Sequence, residues 1–230
     1  MSQVIDTQSA ISQSVNQRYN KLVSALLVLW FIAAVSASAL LMFNARSKTV
    51  IPQPLPLGLA VLVPVVIFLL WMAASPQFRE FVLSRDARLL TLVQAWRIGG
   101  FTFLVLAAHH ILPTTFALPA GWGDIAVGAT APFVAKYLLD PRQRTGFVAW
   151  QIVGMLDLIT AVTLGVLSSP TPIGILAHGV TTEAMSVLPL SLIPTFAVPL
   201  LFIFHIICVT QAARGKIGSG AEQRLRSAVS

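Results

Sequence analysis

The sequence predicts an all-α membrane protein, a polytopic bundle of six transmembrane helices with both termini in the cytoplasm. Only 10% of the residues are charged and the mean hydropathy is +0.82, whereas a soluble domain carries about 25% charge. A helix needs about 20 apolar residues to cross the hydrocarbon core. Six stretches approach or reach that length: residues 22–43, 55–74, a third within 89–118, 123–139, 147–167 and 187–210.

The basic residues predict the orientation of these spans, because cytoplasmic flanks and short loops collect Lys and Arg. With the amino terminus inside, the inner segments hold twelve of the 15 Lys and Arg residues, and the outer loops hold only Arg46 and Lys48. The remaining one, Arg97, lies at or inside the third span. We therefore expect a cytoplasmic polar leader over residues 1–21, a transmembrane domain over 22–211 and a cytoplasmic basic tail over 212–230.

The net charge of +7 and the pI near 10.5 are explained by this topology. In a soluble domain such a balance would indicate a nucleic-acid partner. Here the predicted partners are the bilayer and the anionic lipid headgroups at its cytoplasmic face. The predicted location is the cell membrane, which in a prokaryote is the inner membrane, and the first helix is expected to stay uncleaved.

No cofactor or metal is predicted. The single cysteine, Cys208, excludes a cluster of thiolate ligands and fits a buried apolar position. Residues 121–126 match the G-x-G-x-x-A pattern of dinucleotide sites, but no βαβ unit surrounds them, so the match is discarded.

The segment 119–124 is the most unusual local sequence. It predicts a turn outside the bilayer that begins the fourth helix, with Asp124 as the N-cap and Trp122 as an interfacial anchor. The functional alternative is that the two glycines bring the backbone close to a ligand, with Asp124 facing the third and fifth helices.

Asp157 is the strongest candidate for a functional residue. It lies near the centre of the fifth span, where an ionised carboxylate costs about 3 kcal/mol, so it must be paired, hydrated or protonated. Trp150 lies on the same face one heptad earlier. A structural ion pair between helices is the alternative to a proton-carrying role.

The partner of Asp157 depends on where the third span begins. A start near Leu89 buries Arg97 as the partner, whereas a start near Gly99 buries His109 and His110 instead. The preference of arginine for the cytoplasmic side favours the second register, in which His110 and Asp157 reach similar depths and a proton relay between them is geometrically possible.

The other two histidines are weak haem candidates. His178 is expected on the outer surface, and His205 lies close enough to the inner end of the sixth span to reach headgroups or Arg97. From a rise of 1.5 Å per residue, His110 and His205 differ by roughly 12 Å in depth. One iron cannot be ligated by both from opposite sides, so haem stays a minor alternative.

The sequence is compatible with three classes of function. The first is a small transporter or proton-coupled binding protein for a small molecule, with its site between helices 3 to 6. The second is a membrane-embedded enzyme that acts on a lipid or another apolar substrate through a His and Asp pair. The third is a subunit that binds haem or a protein partner.

Overall fold

The computed structural model of the protein describes residues 2–44 and 54–216, and this part is helical with no strand. Eight α-helices follow one another within these two ranges: α1 Ser2–Ala39, α2 Leu55–Ala74, α3 Pro76–Leu83, α4 Ala87–Val93, α5 Phe101–Ala108, α6 Thr114–Tyr137, α7 Arg144–Leu167 and α8 Val198–Ala213. A 3₁₀ segment, Gln94–Gly100, joins α4 to α5, so that Ala87–Ala108 is one span. A π-helical turn, Ile193–Ala197, precedes α8.

Five helical segments in the described ranges are long and apolar enough to cross a membrane, which indicates a membrane protein with several spans. They are Asn16–Ala39, Leu55–Ala74, Ala87–Ala108, Pro141–Leu167 and Ile193–Ala213. Helix α6 is not among them, although it has 24 residues. Its Thr, Gly and Pro residues, together with Asp124, dilute its apolar character.

The two predicted terminal segments have different outcomes. The leader is continuous with the first helix, since α1 extends from Ala39 back to Ser2. Arg46 and Lys48 of the first outer loop, and residues 217–230 of the tail, lie outside the described residues.

A short helix, α3, follows α2 at the predicted cytoplasmic side. Ser75 begins it by accepting a hydrogen bond from the backbone N–H of Phe78 at 3.2 Å, and Asp86 caps α4 in the same way. Phe78 stacks on Trp71 of α2 with ring centroids 3.9 Å apart, and Tyr19 of α1 packs against the same rings. These aromatic contacts join the first three helices at one end of the bundle.

Helix α6 packs closely against the span 87–108 at its glycines. A Cβ atom added to Gly128 would overlap the backbone of Ile98, and one added to Gly121 would lie 3.0 Å from the carbonyl oxygen of Gly100. Small residues permit this distance of approach between membrane helices. The packing fixes the 3₁₀ segment, and Arg97 within it, against the middle of α6.

The predicted outer turn at residues 119–124 is wrong. The chain turns earlier, at His110, whose backbone is left-handed with φ 55°, and α6 already begins at Thr114. Asp124 therefore lies inside α6 and caps nothing. The glycines that suggested a turn serve close helix packing instead.

Candidate functional site

A buried ion-pair triad lies at the centre of the bundle and consists of Arg97, Asp124 and Asp157. Nε of Arg97 donates to Oδ1 of Asp124 at 2.7 Å, and Nη2 donates to Oδ2 of Asp157. The Arg97 side chain is 1% exposed, against 16% and 15% for the two carboxylates. Three helical segments, 87–108, α6 and α7, each contribute one charge.

Two glycines make room for the triad. A Cβ atom at Gly123 of α6 would overlap the carboxylate of Asp157, and one at Gly154 of α7 would overlap the imidazole ring of His205. The carbonyl oxygen of Gly154 also accepts a hydrogen bond from Nη1 of Arg97 at 3.2 Å. Glycine at these two positions therefore lets polar side chains fill space beside a helix backbone.

A hydrogen-bond chain leads from the triad toward the start of α4. Arginine only donates, so Nε2 of His205 accepts from Nη1 of Arg97 at 3.3 Å, and the Nδ1–H group donates to Oε1 of Gln151. Nε2 of Gln151 then donates to Oγ1 of Thr91 at 3.4 Å. That hydroxyl donates to the carbonyl oxygen of Ala87 at 2.7 Å. In this arrangement the imidazole is neutral and its tautomer is fixed.

The triad holds one cation and two carboxylates. Its formal charge is −1 when both carboxylates are ionised, and the neutral His205 adds nothing. Among the described residues, Arg97 alone bridges the two carboxylates. An unbalanced charge at membrane depth costs about 3 kcal/mol, which a proton on one carboxylate or a bound cation would offset.

A cavity of about 100 Å³ opens beside Asp124. Its walls are mainly apolar and come from α2, α5, α6, α7 and the π-helical turn. Toward the predicted outer side it is bordered by hydroxyl groups and by Glu183 of the connection between α7 and α8. The cavity thus extends from one residue of the triad toward the predicted outer end of the bundle.

The preferred register of the third span is wrong. The span begins at Ala87, and Arg97 rather than a histidine binds Asp157. His109 and His110 lie at the other end of the span, exposed, after α5 has ended. The two carboxylates that face Arg97 compensate its burial, which is why the preference of arginine for the cytoplasmic side did not decide the register.

The other residues that the sequence suggested for the site are Trp150, His205 and His178. Trp150 donates to Oγ1 of Thr130 at 2.9 Å, and its ring centroid lies 5.8 Å from that of His205. His205 is completely buried, and the lone pair of its Nε2 already accepts from Arg97, while its Nδ1 carries the proton that is donated to Gln151. His178 is exposed in the connection between α7 and α8. In the described ranges no three His, Cys, Asp or Glu residues are grouped so that they could hold a metal ion.

Sequence reasoning missed the glutamines. Gln151 is completely buried and Gln94 is 1% exposed, with Nε2 of Gln94 donating to the carbonyl oxygen of Leu201 at 3.2 Å. Each stands in a predicted span, and Gln94 precedes Arg97 by three residues, which places the two on one helix face. A polar amide within an apolar helix was the available signal, because such groups must find partners away from water.

The fold and the triad define a multi-helix membrane protein with a buried polar centre. The chain belongs to the family described as "Domain of unknown function (DUF8737)", whose match covers residues 54–212. No curated protein and no solved structure matches the chain. The matched range contains α2 to α8 apart from its last residue, and thus the whole triad and the hydrogen-bond chain.

Proposed function

We propose that the protein is a proton-coupled carrier or receptor for a small molecule, with the cavity as binding site and the triad as proton site. The observation that carries the proposal is the position of Asp124. Asp124 belongs to the triad, which has one carboxylate in excess, and it is also one of the residues that line the cavity. A ligand in the cavity therefore acts on the group whose charge needs a proton or a cation.

The triad also links the moving parts that a carrier requires. Arg97, Asp124 and Asp157 stand on three different spans, and protonation of either carboxylate removes one of the two ion pairs that hold these spans together. Discontinuous helices commonly frame the sites of membrane transporters. The 3₁₀ segment 94–100 and the π-helical turn 193–197 are such discontinuities, and they flank the triad and the cavity.

The proposed topology has six spans, with α6 as the fourth and with both termini in the cytoplasm of a cell whose plasma membrane holds the protein. Helix α6 supports this reading because 24 residues extend about 36 Å at 1.5 Å per residue, enough to cross a hydrocarbon core of about 30 Å. Its charge at Asp124 is compensated by Arg97.

Proteoliposomes that contain a pH-sensitive dye can test the coupling. Small apolar compounds of cationic, neutral and anionic type are added outside, with protein-free vesicles as the blank. At least one compound should move protons in vesicles with the wild-type protein. Asp157→Asn should abolish this movement, whereas Asp86→Asn should keep it, since Asp86 is an exposed cap of α4 and Asn caps equally well.

The proposal is refuted when no compound of the three types moves protons, or when Asp157→Asn moves them as the wild type does. An absorption spectrum of the purified protein gives a separate check on the haem alternative. A Soret band would establish a haem subunit and remove the carrier. The enzyme alternative required a His and Asp pair, and in the described residues Asp157 binds Arg97 instead.

A further inference from the structure

The cavity beside Asp124 has a lining of one charge sign. Among the described residues that line it, two carry a carboxylate, Asp124 and Glu183, and none carries an ammonium, guanidinium or imidazole group. The other lining residues are apolar or carry a hydroxyl group. From these lining residues an anionic ligand would meet carboxylates and no cationic side chain.

The two carboxylates differ in their surroundings. Asp124 lies at the triad, where one negative charge is in excess and its Oδ1 already accepts from Arg97. A carboxylate has about four acceptor positions, so Asp124 can accept further hydrogen bonds from a donor in the cavity. Glu183 stands at the predicted outer end, partly exposed, and adds negative potential along the way in.

The apolar walls of the cavity determine the size and the apolar character of the rest of the ligand. Phe103 and Phe116 line the cavity with ring centroids 5.5 Å apart, and Leu158, Ala161 and Val162 form the facing wall on α7. A cavity of about 150 Å³ lined by apolar side chains binds benzene. The volume of about 100 Å³ here, open at one end, suits one ring or a short chain. Aromatic faces also attract a cation.

We propose that the cavity binds a small molecule with an apolar body and one cationic amine group, whose ammonium donates to Asp124. This inference rests on the proposed function and names its substrate class. A cationic ligand and a proton would then balance the same excess charge of the triad. Binding of the one releases the other, and this exchange is the coupling.

Three ligands of one shape and different charge test the class: benzylamine, which is cationic at neutral pH, benzyl alcohol, which is neutral, and benzoate, which is anionic. Isothermal titration calorimetry of the full chain in detergent, with empty micelles as the blank, gives each Kd. A hydrogen bond to a charged group contributes about 1.5–3 kcal/mol. We therefore expect benzylamine to bind at least about tenfold more tightly than benzyl alcohol and benzoate not to bind.

Two variants and one control locate the effect. Asp124→Asn should bring the Kd of benzylamine to that of benzyl alcohol, and Asp86→Asn should leave it unchanged. Ala161→Phe, which fills the apolar wall and leaves the triad intact, should weaken both ligands. The wild-type comparison and Ala161→Phe decide the question even when Asp124→Asn does not fold.

The outcomes separate the two proposals. Equal or tighter binding of benzyl alcohol or benzoate overturns the cationic class and leaves a proton-coupled carrier of another class standing. Binding of benzylamine that Ala161→Phe does not weaken overturns the cavity as its site. When none of the three ligands binds, the cationic class is overturned. The proposal of a proton-coupled carrier is then tested by the proteoliposome experiment only.

Discussion

Nη2 of Arg97 donates to Oδ2 of Asp157, and this ion pair joins two residues that are 60 positions apart in the chain. It ties the 3₁₀ segment of the span 87–108 to the middle of α7. The same guanidinium reaches Asp124 on α6 through Nε. One side chain therefore fixes the relative depth of three helices, and its removal should weaken the packing of all three.

Loss of Arg97 should destabilise the fold strongly. Arg97→Gln leaves two carboxylates buried without their cation, and breaking one side of a buried ion pair costs about 3–5 kcal/mol. The double variant Arg97→Gln with Asp157→Asn should recover part of that loss, because one of the two unpaired carboxylates is removed. Unfolding in mixed micelles gives the free energy of unfolding of each variant. Strict additivity of the two changes would show that the pair contributes no coupling.

The stability of the fold should also be sensitive to substitution of the glycine that packs α6 against the 3₁₀ segment. Gly128→Ala forces a Cβ atom onto the backbone of Ile98, which cannot rotate away, so we expect a loss of about 1–3 kcal/mol. Gly99→Ala is the matched control, because no atom lies within 4 Å of its added Cβ. Its effect should stay within about 0.5 kcal/mol. A Gly128→Ala protein as stable as the control would contradict the close packing.

The proposed topology predicts which introduced thiols react from outside. In a Cys208→Ala background, His178→Cys should be labelled by an impermeant maleimide in intact cells, whereas Ser84→Cys should be labelled only after the membrane is permeabilised. Both positions are exposed in the structure, so a difference in reactivity reports the side of the membrane. The opposite pattern would invert the whole assignment.

An acidic pH should loosen the end of α8 from α3. Nζ of Lys216 donates to Oε2 of Glu80 at 2.8 Å and Arg214 lies 3.6 Å from Oε1. The hydrogen bond from Lys216 holds the pKa of Glu80 below its ordinary value of 4.5. The contact therefore stabilises the fold above that ordinary value, and its contribution is lost as the pH falls through the lowered pKa.

The effect on stability should be small, because Glu80 is largely exposed and such pairs contribute at most about 1 kcal/mol. Spin labels on α3 and α8 can follow the distance between the two helices against pH. Glu80→Gln should show the loosened distance at every pH, and added salt should reduce the wild-type difference. If the distance between the two helices changes neither with pH nor in Glu80→Gln, other contacts hold the end of α8 against α3.

Hydropathy predicted the helices well, because the membrane demands long apolar segments and the chain supplies them. The span 55–74 was predicted with the boundaries that α2 has. The predicted fifth span, 147–167, ends where α7 ends. Hydropathy could not place the turn before α6, because the Gly, Trp and Asp residues at 121–124 are compatible both with a turn and with the packing face of a helix.

The centre of the site was only half predictable. Asp157 was recognised because a carboxylate in an apolar span requires a partner, and Arg97 was one of two partners considered. The choice between them depended on Asp124, whose position inside α6 became visible only with the helices assembled. Gln151 and His205 form their hydrogen bond across 54 residues, and no local pattern reports such a pair.

The close backbone contact at Gly128 between α6 and the span 87–108 has a mechanical consequence. Two helices in backbone contact cannot slide or rotate past each other without collision, so they behave as a single rigid body. In the proposed carrier, access to the cavity would then change through its other walls, one of which holds Ile193 and Pro194 of the π-helical turn. A hinge at that turn would swing α8, and His205 with it, against a stationary Arg97.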